Sequence, residues 1–361
     1  MIDRIVDRLL NRTVAHGPLP VSPEVAAFHA SIPVVDLLVG TPLFRRGFLA
    51  RIGHGHVDLP RAREGGLDVI DFSIATRFPN LRGTLSAIHF RALGVPPRRL
   101  HDDMAIVETF LDRIDGWIAA SDGRLRWFDP AVPAPGPGEP ISCFAGIQGG
   151  HALGGDLRNI ERLQRRGVRM LALAHVMDTP LAGSGSGRLA GGLTGLGREA
   201  IAELERVGVV VDLAHASVTA IREALPLLHR PFAVSHTGFT ALAGGRSWWR
   251  RYSPATRNLP DDVVRDVGQA GGLVGVTLAT DLVGGITMSA VVRSFSHAVR
   301  LAGPERVALG SDFDGALRMP FDVTGLPALT GALLDAGLSR PDVAGIMGGN
   351  ALRLLSAGPA T

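Results

Sequence analysis

Apolar, β-branched runs of five to ten residues recur along the chain, and between them apolar positions return every three to four residues. The runs predict buried strands over 31–37, 66–75, 141–147, 168–174, 209–215, 231–236, 272–280 and 306–311, because a strand covered on both faces needs no polar alternation. The stretches between predict helices. Over 97–120, Met104, Val107, Phe110, Leu111, Ile114 and Ile118 fall on one face. Further helices are expected over about 156–166, 194–206, 217–228, 259–270 and 289–302. Residues 1–30 read as a helical leader, and helices over about 325–336 and 340–355 close the chain. A Pro/Gly connector at 130–140 and a Gly/Ser loop at 183–192 punctuate the pattern.

Strands alternating with helices through most of 361 residues predict one (β/α)8 TIM barrel spanning 1–361. The alternative is a doubly wound open sheet. Its dinucleotide-binding version lacks support, since no GxGxxG follows the first strand.

In a parallel barrel the carboxyl ends of the strands share one mouth. The residues placed there are Leu38 and Gly40, Gln148, His175, His215, His236 and Asp312, with Arg257 in the loop after the sixth strand. Two neutral imidazoles on neighbouring strands, His215 and His236, suit a zinc-like ion. Such an ion polarises a carbonyl and acidifies a bound water. Asp312 is placed to orient or deprotonate that water, and His175 to donate to a developing oxyanion. Arg257 suits a substrate carboxylate, which it can grip through two parallel hydrogen bonds. Taken singly, His175 could be a core imidazole, Asp312 a turn or cap residue, and Arg257 half of an ion pair. Their recurrence at equivalent strand ends favours a site. His151, just past Gln148, reads as a structural hydrogen-bonder.

Composition narrows the chemistry. Every basic residue other than histidine is arginine, which excludes Schiff-base catalysis, a P-loop lysine and a bridging carboxylated lysine. The single cysteine, Cys143, excludes an internal disulfide and reads as a buried, inert thiol. The net charge is +3 and no long basic run is interleaved with aromatics, so nucleic acid is not an expected partner. The densest basic patch, Arg246, Arg250 and Arg251 around Trp248 and Trp249, reads as a surface loop. No apolar run approaches membrane-spanning length, and Met1 to Arg12 lacks the apolar core of a signal peptide. A cytoplasmic chain with no membrane partner is expected.

The motifs resemble those of the membrane (renal) dipeptidase family, peptidase family M19. The resemblance runs through His56-Val57-Asp58-Leu59-Pro60-Arg61, Gly146-Ile147-Gln148-Gly149-Gly150-His151 and Leu173-Ala174-His175. It continues through Val211-Asp212-Leu213-Ala214-His215, Ser235-His236, Arg257-Asn258-Leu259, Gly310-Ser311-Asp312-Phe313-Asp314-Gly315 and Gly348-Gly349-Asn350. It implies a metallo-dependent-hydrolase barrel that cleaves dipeptides with two zinc ions. One ion takes histidines matching His215 and His236. The other takes a His-x-Asp after the first strand and an aspartate matching Asp312, and a glutamate bridges the two. Homodimers are implied as an assembly; the loop aromatics Trp248, Trp249 and Tyr252 read by themselves as a contact surface or a pocket lid.

Three ligand positions depart from that pattern. Leu38 stands for the histidine, Gly40 for the aspartate and Gln148 for the bridging glutamate. A neutral amide brings no charge to offset two cations. The expectation is therefore zinc at no more than one ion per chain, or none, held by His215 and His236 with Gln148 and Asp312 as weak ligands. Asp36 and the His54-x-His56 pair are not expected to substitute. The leading expectation is a hydrolase for a dipeptide or small amide with a free carboxylate. Its rivals are a metal-free tailoring enzyme for an amino-acid-derived metabolite and a non-catalytic binding protein on the same barrel.

Overall fold

In the computed structural model the eight predicted runs become eight parallel strands: β1 (Val35–Val39), β2 (Val69–Ala75), β3 (Ile141–Gln148), β4 (Val168–Ala172), β5 (Val210–Asp212), β6 (Ala233–Thr237), β7 (Leu273–Val276) and β8 (Val307–Leu309). The structure describes residues 2–77, 79–80, 83–84, 87–133, 135–136, 139–243, 245 and 253–357. The strands pair in chain order. Just beyond β8 the chain returns to β1, where Val39 bridges Phe313 and the Gly40 N–H donates to the Phe313 carbonyl at 2.7 Å. The sheet thus curls into a nearly closed barrel.

One apolar cluster draws residues from all eight strands: Val35 and Leu37, Val69, Phe144, Met170, Val210, Ala233, Leu273 and Ala308, with Leu354 and Leu355 of the last helix packed on them. Side chains two residues further along share the same face. That step reaches Asp71 and Ser73 on β2, Gly146 and Gln148 on β3, Asp212 on β5 and Ser235 on β6. The barrel thus turns from apolar to polar toward its carboxyl end, and all six of these residues but Gly146, which has no side chain, bury a polar group. Between strands and helices lies the larger core, in which Phe72, Phe110, Phe239, Phe295 and Phe313 are fully buried.

Four local departures from the sequence expectations have physical reasons. The leader is only partly helical: between the helices Ile2–Leu10 and Pro23–His29, the segment Arg12–Ala15 pairs in parallel with Arg318–Phe321. Four residues carry too little periodicity to mark a strand. Leu125–Trp127 pairs with the start of β3, beside Ile141 to Cys143, before β4 joins at Ala145. Between β1 and β2, where no helix was expected, a short one forms over Leu59–Glu64, capped by Asp58. The predicted 340–355 helix is broken by a wide turn at Gly345–Gly349, after which the Asn350 amide donates to the carbonyls of Pro304 and Val307. Trp248, Trp249, Tyr252, Arg246, Arg250 and Arg251 lie outside the described residues. Among the described residues no helix is long and apolar enough to cross a membrane. Cys143 is fully buried in β3, and burial pushes its thiol well above the usual range, as an inert thiol requires.

Candidate active site

His215 follows β5 in a left-handed backbone conformation (φ 63°), and Asp312 follows β8 in another (φ 66°). Non-glycine residues seldom sit there, and when they do the surrounding structure holds them. At His215 part of that hold is visible one step earlier, where the Ala214 N–H donates to the Asp212 carboxylate at 2.9 Å. His236 lies within β6, and His175 comes three residues after β4. Arg257 ends the helix Pro254–Arg257, whose first turn is fixed by a capping box between Ser253 and Thr256.

These elements bring the imidazoles together. The rings of His175 and His215 are 4.7 Å apart centre to centre, and those of His215 and His236 are 4.9 Å apart. The two Nε2 atoms of His215 and His236 face one another at 3.0 Å. All three rings and Arg257 are buried. Arg257 Nη2 donates to the His236 carbonyl at 2.6 Å, while its Nε has no partner. Burial, reinforced by this guanidinium, keeps the histidines neutral. His175 is pushed down to about 3, and His215 and His236 fall well below the ordinary value. Burial pushes the Asp312 carboxyl the other way, up to about 6, against the pull of Arg257 and His56.

A chain of hydrogen bonds supports the pair. Ser235 Oγ donates to Asp212 at 2.6 Å and lies 2.8 Å from His236 Nδ1. With Asp212 ionised, the Ser235 proton is committed to it, so His236 Nδ1 must carry the proton that reaches Ser235. That leaves a lone pair on His236 Nε2, directed at His215. Asp212 and Ser235 were not among the predicted site residues. The available signal was their polarity within otherwise apolar strands.

The remaining predicted positions are also placed. Gln148 ends β3 beside Ala75 and Ala172, buried, with neither amide atom hydrogen-bonded. Leu38 is buried, and Gly40 packs against the turn after β8. His56 is committed to structure: its Nδ1 accepts from the Asp314 N–H at 2.8 Å and its Nε2 faces the Arg12 carbonyl at 3.1 Å. Asp36 accepts from the N–H groups of Leu38 and Ser311. His151 is buried and pushed down to about 4 by that burial.

Buried imidazoles at the ends of β4, β5 and β6, with a carboxyl after β8, define a hydrolase barrel of the metallo-dependent type. The chain belongs to the membrane dipeptidase family, peptidase family M19, whose profile matches residues 23–358. It is 29% identical over 315 residues to dipeptidase aclJ of Aspergillus oryzae, covering 84% of this chain and 70% of that protein. Among solved structures it resembles a metallo peptidase from Rhodobacter sphaeroides liganded with a phosphinate mimic of the dipeptide L-Ala-D-Ala, with TM-score 0.75, 25% identity, and coverage of 91% of this chain and 99% of that one. The probable dipeptidase PvdM of Pseudomonas aeruginosa shares the fold, with TM-score 0.73 at 20% identity over 92% of this chain and 97% of that one.

Metal dependence is implied by these metallopeptidase neighbours, but the residues present do not fit a two-ion centre. Among the described residues no group of three or more His, Cys, Asp or Glu side chains is gathered to hold a metal. The expected bridge position holds Gln148, a buried neutral amide with neither atom hydrogen-bonded.

Proposed function

We infer that this chain is a dipeptidase-family hydrolase for a dipeptide or small amide with a free carboxylate, working with at most one metal ion. That ion would be a zinc held by His215 and His236, with the Gln148 carbonyl oxygen as a weak third ligand. The observation that carries this reading is the burial of three neutral imidazoles and one guanidinium at a single barrel mouth.

Each residue has a task that follows from its surroundings. Arg257, with Nε still unpartnered, anchors the substrate carboxylate and so orients the scissile amide. His175 Nδ1 lies 3.4 Å from the Arg77 carbonyl, so the neutral ring as placed carries its proton on that side. Donation to the oxyanion uses the other tautomer, with Nε2–H, which gives up that contact. Asp312 accepts a proton from the attacking water and returns it to the leaving amine nitrogen as the C–N bond breaks. Amide and water thus become acid and amine, with no proton left over.

The experiment is a cleavage assay on paired substrates, free dipeptides against the same dipeptides with amidated C-termini, with and without added zinc. Cleavage confined to free carboxylates and lost in Arg257→Ala supports the reading. Equal cleavage of amidated substrates, or no cleavage of any dipeptide with zinc present, overturns it.

One observation favours a second reading, a metal-free tailoring enzyme for an amino-acid-derived compound. A neutral His215 with Nε2–H can donate directly to His236 Nε2 at 3.0 Å, which needs no ion between them. Metal analysis separates the two. One equivalent of metal per chain favours the hydrolase with a single ion, and none favours the tailoring enzyme.

A further inference from the structure

We propose that the loop after β1 forms a second binding site, for a small molecule bearing a multiply charged oxyanion such as phosphate. A cavity of about 390 Å³ lies there, with Arg8, Arg45, Arg46, Arg51 and His54 in its wall and no carboxylate among the lining residues. Its volume falls in the range of small-molecule pockets and exceeds what one bare ion needs. The carboxylates seen to pair with Arg46, Arg51 and His54 are not part of that wall: Asp7 and Asp314 bind Arg46, Glu64 binds Arg51, and Asp7 faces His54 at 3.3 Å.

Arg46 is buried and held by Asp7 and Asp314, so it anchors the wall, and the exposed guanidinium groups of the wall are those of Arg8, Arg45 and Arg51. Arg113 adds a further cation close to Arg45. Its guanidinium donates to the backbone carbonyls of Pro42, Phe44 and Leu93, which carry no charge to neutralise it. Guanidinium groups match the planar, bidentate geometry of phosphate and carboxylate oxygens. Several of them around one cavity suit a di- or trianion better than a single carboxylate. The site lies on the mouth side of the barrel, since it follows β1 and is tied through Arg46 to Asp314, two residues beyond Asp312. It is distinct from the substrate anchor at Arg257 and does not depend on the hydrolase reading.

The test is calorimetric titration of the full chain with inorganic phosphate, a sugar phosphate and citrate, each against chloride at matched ionic strength. Saturable one-to-one binding of at least one oxyanion is expected. Preference among the three identifies the source of the charge. Arg8→Gln with Arg45→Gln, both exposed side chains, should weaken that binding by at least about tenfold, whereas Arg257→Gln should leave it intact. Hydrogen exchange on the unaltered chain should slow within residues 45–54 when the oxyanion is added. Heats no larger than those of chloride, binding indifferent to the double substitution, binding lost in Arg257→Gln, or unchanged exchange over 45–54 would each overturn the proposal.

Discussion

The carbonyl oxygen of Asp314 lies 2.5 Å from the point a Cβ on Gly40 would occupy, and its carbonyl carbon lies 2.9 Å away. Gly40 is where the resemblance expects a metal-binding aspartate. The space for any side chain there is taken by main chain, and main chain cannot rotate aside. The Asp314 carboxylate is itself held by Thr41 at 2.5 Å, by the His56 N–H at 2.7 Å and by Arg46. Restoring ligands by Leu38→His, Gly40→Asp and Gln148→Glu should therefore fail at Gly40. Gly40→Ala alone should cost about 1–3 kcal/mol, the usual penalty for overpacking. Denaturant unfolding of Gly40→Ala, with metal analysis of the triple variant, checks both. Two bound equivalents in a stable triple variant would show that the turn after β8 yields.

Arg46 is the buried counter-charge to Asp7 and Asp314, two carboxylates from opposite ends of the chain. Replacing it by Met leaves both without their cation. Removing one partner of a buried ion pair costs about 3–5 kcal/mol, and Arg46→Met should fall in or above that range. Urea unfolding measures it. A loss below about 1 kcal/mol would mean that the network is solvated, as surface pairs are.

Ser235 connects Asp212 to His236. Ser235→Ala removes the acceptor that fixes the His236 tautomer and leaves an Asp212 oxygen without its hydroxyl donor. Loss of a supporting hydrogen bond to a site histidine typically lowers activity or metal affinity about 10–100-fold. The same range is expected for kcat/KM here, whereas Ser235→Thr, which keeps the hydroxyl, should recover most of the activity. Equal losses in both variants would indicate a packing role instead.

Among the carboxyls whose values are raised, buried Asp36 and half-buried Asp68 contribute a pH dependence of stability. Burial pushes Asp36 up to about 7 and Asp68 up to about 6. Both bind protons more tightly folded than unfolded, so unfolding releases protons between the unfolded value near 4 and these folded values. Their contribution is full below the unfolded value and is lost as pH rises through 6 and 7. Asp314 works in the opposite sense. Burial opposes its charge, but Arg46 and His56 hold it well below the usual range, so its contribution is lost only in acid. The buried neutral histidines act in the opposite sense through about pH 6.5, because unfolding lets them take up protons, so the aspartate contribution is read as a difference. The unfolding free energy of the unaltered chain minus that of Asp36→Asn should fall between pH 5.5 and pH 8, and a difference that rises over that interval would contradict this assignment.

The order of the strands and the identity of the mouth residues were legible in the sequence. Buried strands announce themselves locally, because a strand covered on both faces must be apolar along its length. His175, His215, His236 and Asp312 follow because the barrel rule places strand ends together, and Arg257 follows from the loop beside them. The departures at Leu38, Gly40 and Gln148 are likewise local facts. Short pairings such as Arg12–Ala15 with Arg318–Phe321 were not legible, since neither segment has a pattern of its own.

Only the tertiary structure decided what those residues meet. Arg46 and Asp314 are 268 positions apart, His56 and Asp314 are 258 apart, and Asp212 reaches Ser235 across neighbouring strands. A hydrogen bond depends on positions to within fractions of an ångström, and barrel closure and strand register set those positions. The sequence by itself determined that Gly40 carries no ligand. That the backbone of Asp314 occupies the place of one follows from how the turn after β8 packs on the end of β1, a contact between opposite ends of the chain.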